Sequence, residues 1–156
     1  MATAAQISTW LQRFFDEQQY RYELVGENNT TIKSRFSLDS KLKNVTFFIT
    51  CRDDGYIVNT TIPLDADEDC RLKVSEYLMR ANFGLAFGNF EMDFNDGEIR
   101  YRLPVDCEGR TSLPDGVMSK SISLPLRMFD RYGDGLIAVM YGIKSPEEAI
   151  KEAEGK

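Results

Sequence analysis

The sequence predicts an α+β fold, an antiparallel β-sheet flanked by helices in the order α-β-β-β-α-β-β-α. Three observations carry that prediction. Apolar residues near the N-terminus recur at helical spacing, and from Tyr20 the period falls to two in runs separated by turn residues. A second alternating hairpin then lies between segments of helical period. Strands and helices are grouped rather than alternating one by one, which argues against a doubly wound parallel sheet.

Over residues 4–18, Ile7, Trp10, Leu11, Phe14 and Phe15 form one wide apolar stripe, as in an amphipathic helix docked on a core. An exposed partner-binding stripe through Trp10 and Phe14 is the alternative, and the core reading is preferred. Residues 20–25 are a weak strand candidate, and 31–38 alternate Ile32, Phe36 and Leu38 with polar residues. Residues 44–52 place Val45, Phe47, Ile49 and Cys51 on one face. After the turn Asp53-Asp54-Gly55, residues 56–62 return with Tyr56, Val58, Thr60 and Ile62, which makes an antiparallel hairpin. Phe48 and Ile57 fall on its opposite face, otherwise rich in Thr and Asn.

Pro63 ends the ladder because it has no amide hydrogen to donate. An acidic run leads into a helix ending near Asn82, with Leu72, Tyr77 and Leu78 as core positions and Gly84 as its stop. In residues 88–105, Phe90, Met92 and Phe94 face Ile99, Tyr101, Leu103 and Val105 across Asp96-Gly97. Read as a two-residue loop, that turn sets Asp93 opposite Arg100 and Glu91 opposite Arg102, pairs that fix register. Residues 114–141 are helical, with Pro125 expected to kink or divide the helix. Ser145-Pro146-Glu147-Glu148 opens a last short helix as a capping box.

The 156 residues fit one domain, 1–156, large enough to fold without disulfides or metals. Residues 1–6 lack the basic region of a secretory signal, so the expected location is cytoplasmic. Three widely spaced cysteines suggest reduced thiols. A net charge of −6 with scattered basic residues argues against nucleic acid or an anionic membrane as partner. The chain has no histidine. That removes the commonest general base at neutral pH and makes Ser-His-Asp or Cys-His catalysis impossible.

The remaining acidic groups have simpler explanations than chemistry. Asp65, Asp67, Asp69 and Glu76 sit at calcium-loop spacing, but Cys70 replaces the required glycine, and acidic capping of the next helix accounts for them. Asp130 and Asp134 stand on one helical face and could share a metal. A solvated face is the preferred reading, with Gly133 and Gly135 marking close packing or a local break. Glu91 and Asp93, each expected to face an Arg, are structural rather than an acid/base pair. No catalytic residue, metal site or cofactor is assigned.

Residues 82–93, Asn-Phe-Gly-Leu-Ala-Phe-Gly-Asn-Phe-Glu-Met-Asp, followed by Asp96-Gly97-Glu98-Ile99-Arg100-Tyr101-Arg102, resemble the central signature of the YbjN-like proteins, described as bacterial sensory transduction regulators. Asp130-Arg131-Tyr132, Tyr141-Gly142 and Ser145-Pro146-Glu147-Glu148-Ala149 resemble that family's C-terminal helices. The resemblance covers about residues 75–150. It implies a fold like that of class I type III secretion chaperones, often dimeric, and supplies no catalytic residues. Pro125 and Ser119-Lys120-Ser121 depart from the more apolar helix the family leads one to expect. The expectation is therefore a non-enzymatic interaction protein, self-associating as a homodimer and binding a protein or peptide through Phe48 and Ile57. The alternative is a small-molecule sensor with a pocket between sheet and helices.

Overall fold

A computed structural model describes residues 1–156. Its first helix, α1 (Ala4–Glu17), begins at a capping box. The Thr3 hydroxyl accepts from the Gln6 amide, and the Gln6 side chain accepts from the Thr3 amide. Ile7, Leu11, Phe14 and Phe15 are buried, and Trp10 packs half-buried against the same core. Both the helix and its inward stripe follow the sequence reading.

Four strands follow: β1 (Glu23–Val25), β2 (Thr31–Ser37), β3 (Asn44–Arg52) and β4 (Gly55–Thr61). After helix α2 (Arg71–Asn82) come β5 (Asn89–Met92) and β6 (Ile99–Asp106), then α3 (Asp115–Met140) and α4 (Pro146–Ala153). The strands form one antiparallel sheet in the order β1-β2-β3-β4-β6-β5. The α+β prediction holds: the weak candidate at residues 20–25 forms the short strand β1, and the last short helix expected from Ser145 forms as α4.

Because side chains alternate across a strand, one sheet face carries Ile32, Val45, Phe47, Ile49, Tyr56, Val58 and Tyr101, all fully buried. These merge into one core with α1, the inner side of α2, and α3 and α4. The alternate residues form the other face, which no helix covers.

The β3–β4 turn anchors the N-terminus. Asp54 Oδ1 accepts from the Ala2 amide at 2.9 Å, and Asp53 Oδ1 accepts from the Ala4 amide at 3.0 Å. The second contact sets a carboxylate against the first turn of α1, where the helix dipole favours it.

Three expectations need correction. The β5–β6 turn spans residues 93–98 rather than two residues, since Met92 pairs with Ile99 and Glu91 with Arg100. The Asp93 carboxylate instead accepts from the Asn95 amide at 2.8 Å, a local turn that competes with strand pairing. Leu72 is exposed, because α2 buries Val74, Tyr77, Leu78 and Ala81 and that spacing turns Leu72 to the opposite side. Finally, Pro125 does not divide its helix: α3 runs through it, with Pro125 buried. Ser121, whose carbonyl loses its usual donor at Pro125, binds Tyr56 by its hydroxyl at 2.7 Å.

A candidate protein-interaction site

Phe48 and Ile57 both lie on the uncovered face, half-buried by their strand neighbours alone. Register sets Lys33, Phe48, Asn59 and Arg102 in one row across β2, β3, β4 and β6. The adjacent row reads Thr31, Thr50, Ile57 and Pro104. Phe48 and Ile57 are therefore diagonal neighbours, and Pro104 extends the apolar patch by standing opposite Ile57. Pro104 is exposed and was missed in the sequence. Its position in an alternating strand opposite Ile57 becomes visible only once the β4–β6 pairing is known.

Charged groups border the patch, basic ones on its Phe48 side and Arg52 with Asp106 beyond Ile57. Lys33 Nζ stands 5.8 Å from the Phe48 ring centroid, a separation at which a cation is attracted to the ring. In the flanking row Arg35 and Arg100 lie across Thr46 and Thr61. Glu91 reaches two guanidiniums, Arg100 at 3.3 Å and Arg102 at 3.5 Å, so one carboxylate ties the edge strand to β6. Of the four charged residues predicted to pair across this hairpin, Glu91, Arg100 and Arg102 come together and Asp93 does not. Asn59 Oδ1, in the row between Phe48 and Arg102, is buried and has no hydrogen-bond partner.

The candidate metal residues serve the backbone instead. Asp130 Oδ1 accepts from the Asp39 and Ser40 amides at 2.8 and 3.0 Å, and Asp134 Oδ1 accepts from the Lys41 amide at 2.8 Å. The preferred reading of a solvated face is corrected: these carboxylates fasten the β2–β3 loop to α3. Gly133 and Gly135 mark close packing, not a break. A Cβ at Gly133 would meet Leu42 and Ser40, and one at Gly135 would meet the Tyr77 hydroxyl. In the acidic run, Glu68 and Asp69 lie in a 3-10 turn before α2 and make no side-chain cap to it. No three acidic or cysteine side chains converge on a point that could hold a metal ion.

Cys51, Cys70 and Cys107 are free and buried. Burial pushes the Cys51 thiol up to about 12, with Cys107 adding to the effect. Burial also raises Cys70 and Cys107. Each is thereby held as the thiol, which is neither the nucleophile nor the metal ligand that a thiolate is.

The outward side of α2 escaped sequence reading. Leu72, Met79 and Phe83 are 78%, 70% and 90% exposed. Their spacing puts them on one line opposite the buried line Val74, Tyr77, Leu78 and Ala81. The available signal was a helix with apolar residues on both sides, a pattern a surface helix of a monomer does not need.

A smaller apolar cleft, about 260 Å³, opens between β6 and the start of α3. Phe87, Leu103, Val105 and Val117 line it, together with the charged residues Asp106 and Lys120. Lys120 Nζ lies 3.3 Å from the Phe87 ring centroid.

No family model and no curated protein matches the chain. No helix is long and apolar enough to cross a membrane.

Proposed function

We propose that this chain is a non-enzymatic, cytoplasmic interaction protein, chaperone-like or regulatory, that self-associates and binds a protein or peptide partner on its open sheet face. The observation that carries the reading is the patch of Phe48, Ile57 and Pro104 on a sheet face that no helix covers. Apolar side chains ringed by charge on a flat surface suit a protein partner, with burial giving affinity and the charges setting orientation. The absence of histidine and the protonated, buried thiols support a role without catalysis. The resemblance to bacterial YbjN-like proteins over residues 75–150 points the same way, and with it a secretion-chaperone-like fold. Affinity capture from native bacterial cytosol tests the reading: a partner retained in stoichiometric amount supports it, and no enrichment overturns it. Light scattering that reads a monomer overturns its self-association part.

A second reading rests on the cleft below Phe87. Its apolar walls and the Lys120 ammonium suit a small amphipathic carboxylate kept clear of Asp106, which also lines the cleft; its volume lies under the roughly 300 Å³ at which ligand pockets begin. Saturable binding of short-chain fatty acids, lost in Lys120→Ala, would favour this reading; no binding would remove it.

A further inference from the structure

The open sheet face is positively charged although the chain as a whole is not. Of the residues the paired strands turn to this face, Lys33 and Arg35 stand on β2 and Arg100 and Arg102 on β6. Glu23 and Glu91 are the carboxylates beside them. Arg52 and Asp106 offset each other at the far end. The face thus carries a positive excess on a chain of net charge −6. We propose that the partner of this face is an acidic protein segment in which two carboxylates flank an apolar residue. The proposal rests on the sheet-face reading above and names the chemistry of its partner.

Register arranges the basic residues as two clamps. Arg35 lies in one row with Thr46, Thr61 and Arg100, and Lys33 lies in the next with Phe48, Asn59 and Arg102. Both rows hold a cation on β2 and another on β6, with β3 and β4 between. At about 4.8 Å between neighbouring strands, the clamps stand about 14 Å apart. Between them lies an apolar floor, Phe48 with Ile57 diagonal to it.

Each clamp keeps one positive charge without an opposite neighbour. On β2, Glu23 reaches Lys33 at 3.6 Å, whereas Arg35 meets only the Asn44 side-chain oxygen at 3.4 Å. On β6, Glu91 alone serves both Arg100 and Arg102. One added carboxylate therefore neutralises each clamp. In an extended chain, residues i and i+4 point to the same side about 13 Å apart, and residue i+2 points with them. A segment with acidic residues at i and i+4 and an apolar one at i+2 meets both clamps and the floor at once. Complementarity of this kind steers encounter and fixes register.

Nucleic acid fits the face less well. Single strands are held by successive aromatic side chains that stack bases and by a basic groove that tracks the phosphates. Here Phe48 is the one aromatic among the strand residues of the open face. The cations form two separate pairs, each already holding a carboxylate.

Amide NMR titration of the full chain with the capped peptide Glu-Ser-Leu-Ser-Glu tests the proposal. Resonances of β2, β3, β4 and β6 shift saturably, and binding weakens as salt rises. Arg35→Gln and Arg100→Gln each weaken it roughly two- to fivefold, as loss of an exposed ion pair does. Glu23→Gln and Glu91→Gln each strengthen it by a similar factor, a gain that a misfolded variant would not give. The peptide Gln-Ser-Leu-Ser-Gln binds at least roughly tenfold more weakly, having lost both carboxylates. Absence of saturable shifts, equal binding of the glutamine peptide, or weaker binding by Glu91→Gln overturns the proposal. Oligothymidylate that displaces the peptide assigns the face to nucleic acid and overturns it as well. A partner captured from cytosol may be lost with Phe48→Thr and Ile57→Thr yet retained with Arg35→Gln and Arg100→Gln. That result leaves the sheet-face reading standing and overturns only the acidic partner.

Discussion

The side-chain amide of Asn82 holds the backbone of Phe90 at both polar groups, accepting from its N–H at 2.7 Å and donating to its carbonyl at 3.0 Å. The last residue of α2 thus does for β5 what another strand would do. It satisfies outward-facing groups of an edge and keeps that edge from pairing with other chains. The ring of Phe90, packed edge-on to Tyr101, Phe129 and Tyr132, fixes the same residue from the core side.

Asn82→Ala should lower stability in urea unfolding by about 1–3 kcal/mol, because it leaves a strand amide without its acceptor. The Phe90 carbonyl keeps a donor in Asn89 at 3.1 Å, which limits the loss to the lower part of that range. An unchanged midpoint would show that water replaces the Asn82 contact without cost.

Gly133 and Gly135 should respond differently to alanine, although both lie in α3. Alanine in a helix interior favours folding by about 1 kcal/mol over glycine. At Gly135 the new methyl meets the Tyr77 hydroxyl, which is buried and donates to the Tyr132 carbonyl at 2.7 Å. Gly135→Ala should therefore destabilise by about 1–3 kcal/mol net, the usual effect of overpacking. At Gly133 the new methyl meets Leu42 and Ser40 rather than a hydrogen-bonded ring, so Gly133→Ala should cost less than Gly135→Ala. Thermal unfolding of the two variants side by side checks the contrast.

Asp130→Ala should cost about 1–3 kcal/mol, since one oxygen serves two loop amides. Asp130→Asn keeps an acceptor oxygen and should cost less. Calcium should leave the melting midpoint of the wild type unchanged relative to chelator. A calcium-dependent rise, lost in Asp130→Asn, would return these carboxylates to a metal-binding role.

Stability should fall at alkaline rather than neutral pH. An unfolded cysteine ionises near 9.0 and a tyrosine near 10.0, whereas burial pushes Cys51 and Tyr101 up to about 12. Tyr56 and Tyr77 are raised further by burial, which outweighs the opposing hydrogen bond from Ser121 at Tyr56. The folded chain keeps protons that the unfolded chain gives up. Its stability is therefore full below about pH 9 and drains away as pH rises from there through about 12. Urea midpoints across that window, with tyrosinate absorbance followed in parallel, should show ionisation of these tyrosines accompanying unfolding. A flat stability curve would contradict this.

Elements with strong periodicity were legible in the sequence. The α1 stripe, the bounds of β3, the end of α2 at Asn82 and the capping box of Ser145 each express a local rule that tertiary contacts did not override. What failed depended on partners distant in sequence. Asp93 left its predicted Arg because its own backbone offered a nearer donor, which lengthened the turn. Asp130 and Asp134 looked solvated because the loop they bind is ninety residues away in the chain. Leu72 looked like core because it shares a helix with Tyr77, yet about half a turn of helix phase separates the two faces of α2. Of the interaction face, Phe48 and Ile57 could be read from alternation, whereas Pro104 needed the β4–β6 pairing.

The most direct test of the open sheet face is quantitative affinity capture by the wild type and by the Phe48→Thr, Ile57→Thr double variant. Both substitutions place threonine, a β-branched residue suited to strands, and both sites are half-exposed, so the variant should fold and dimerise as the wild type does. The account predicts a partner retained by the wild type and lost, by at least roughly tenfold, from the variant. Equal capture by both proteins would contradict it.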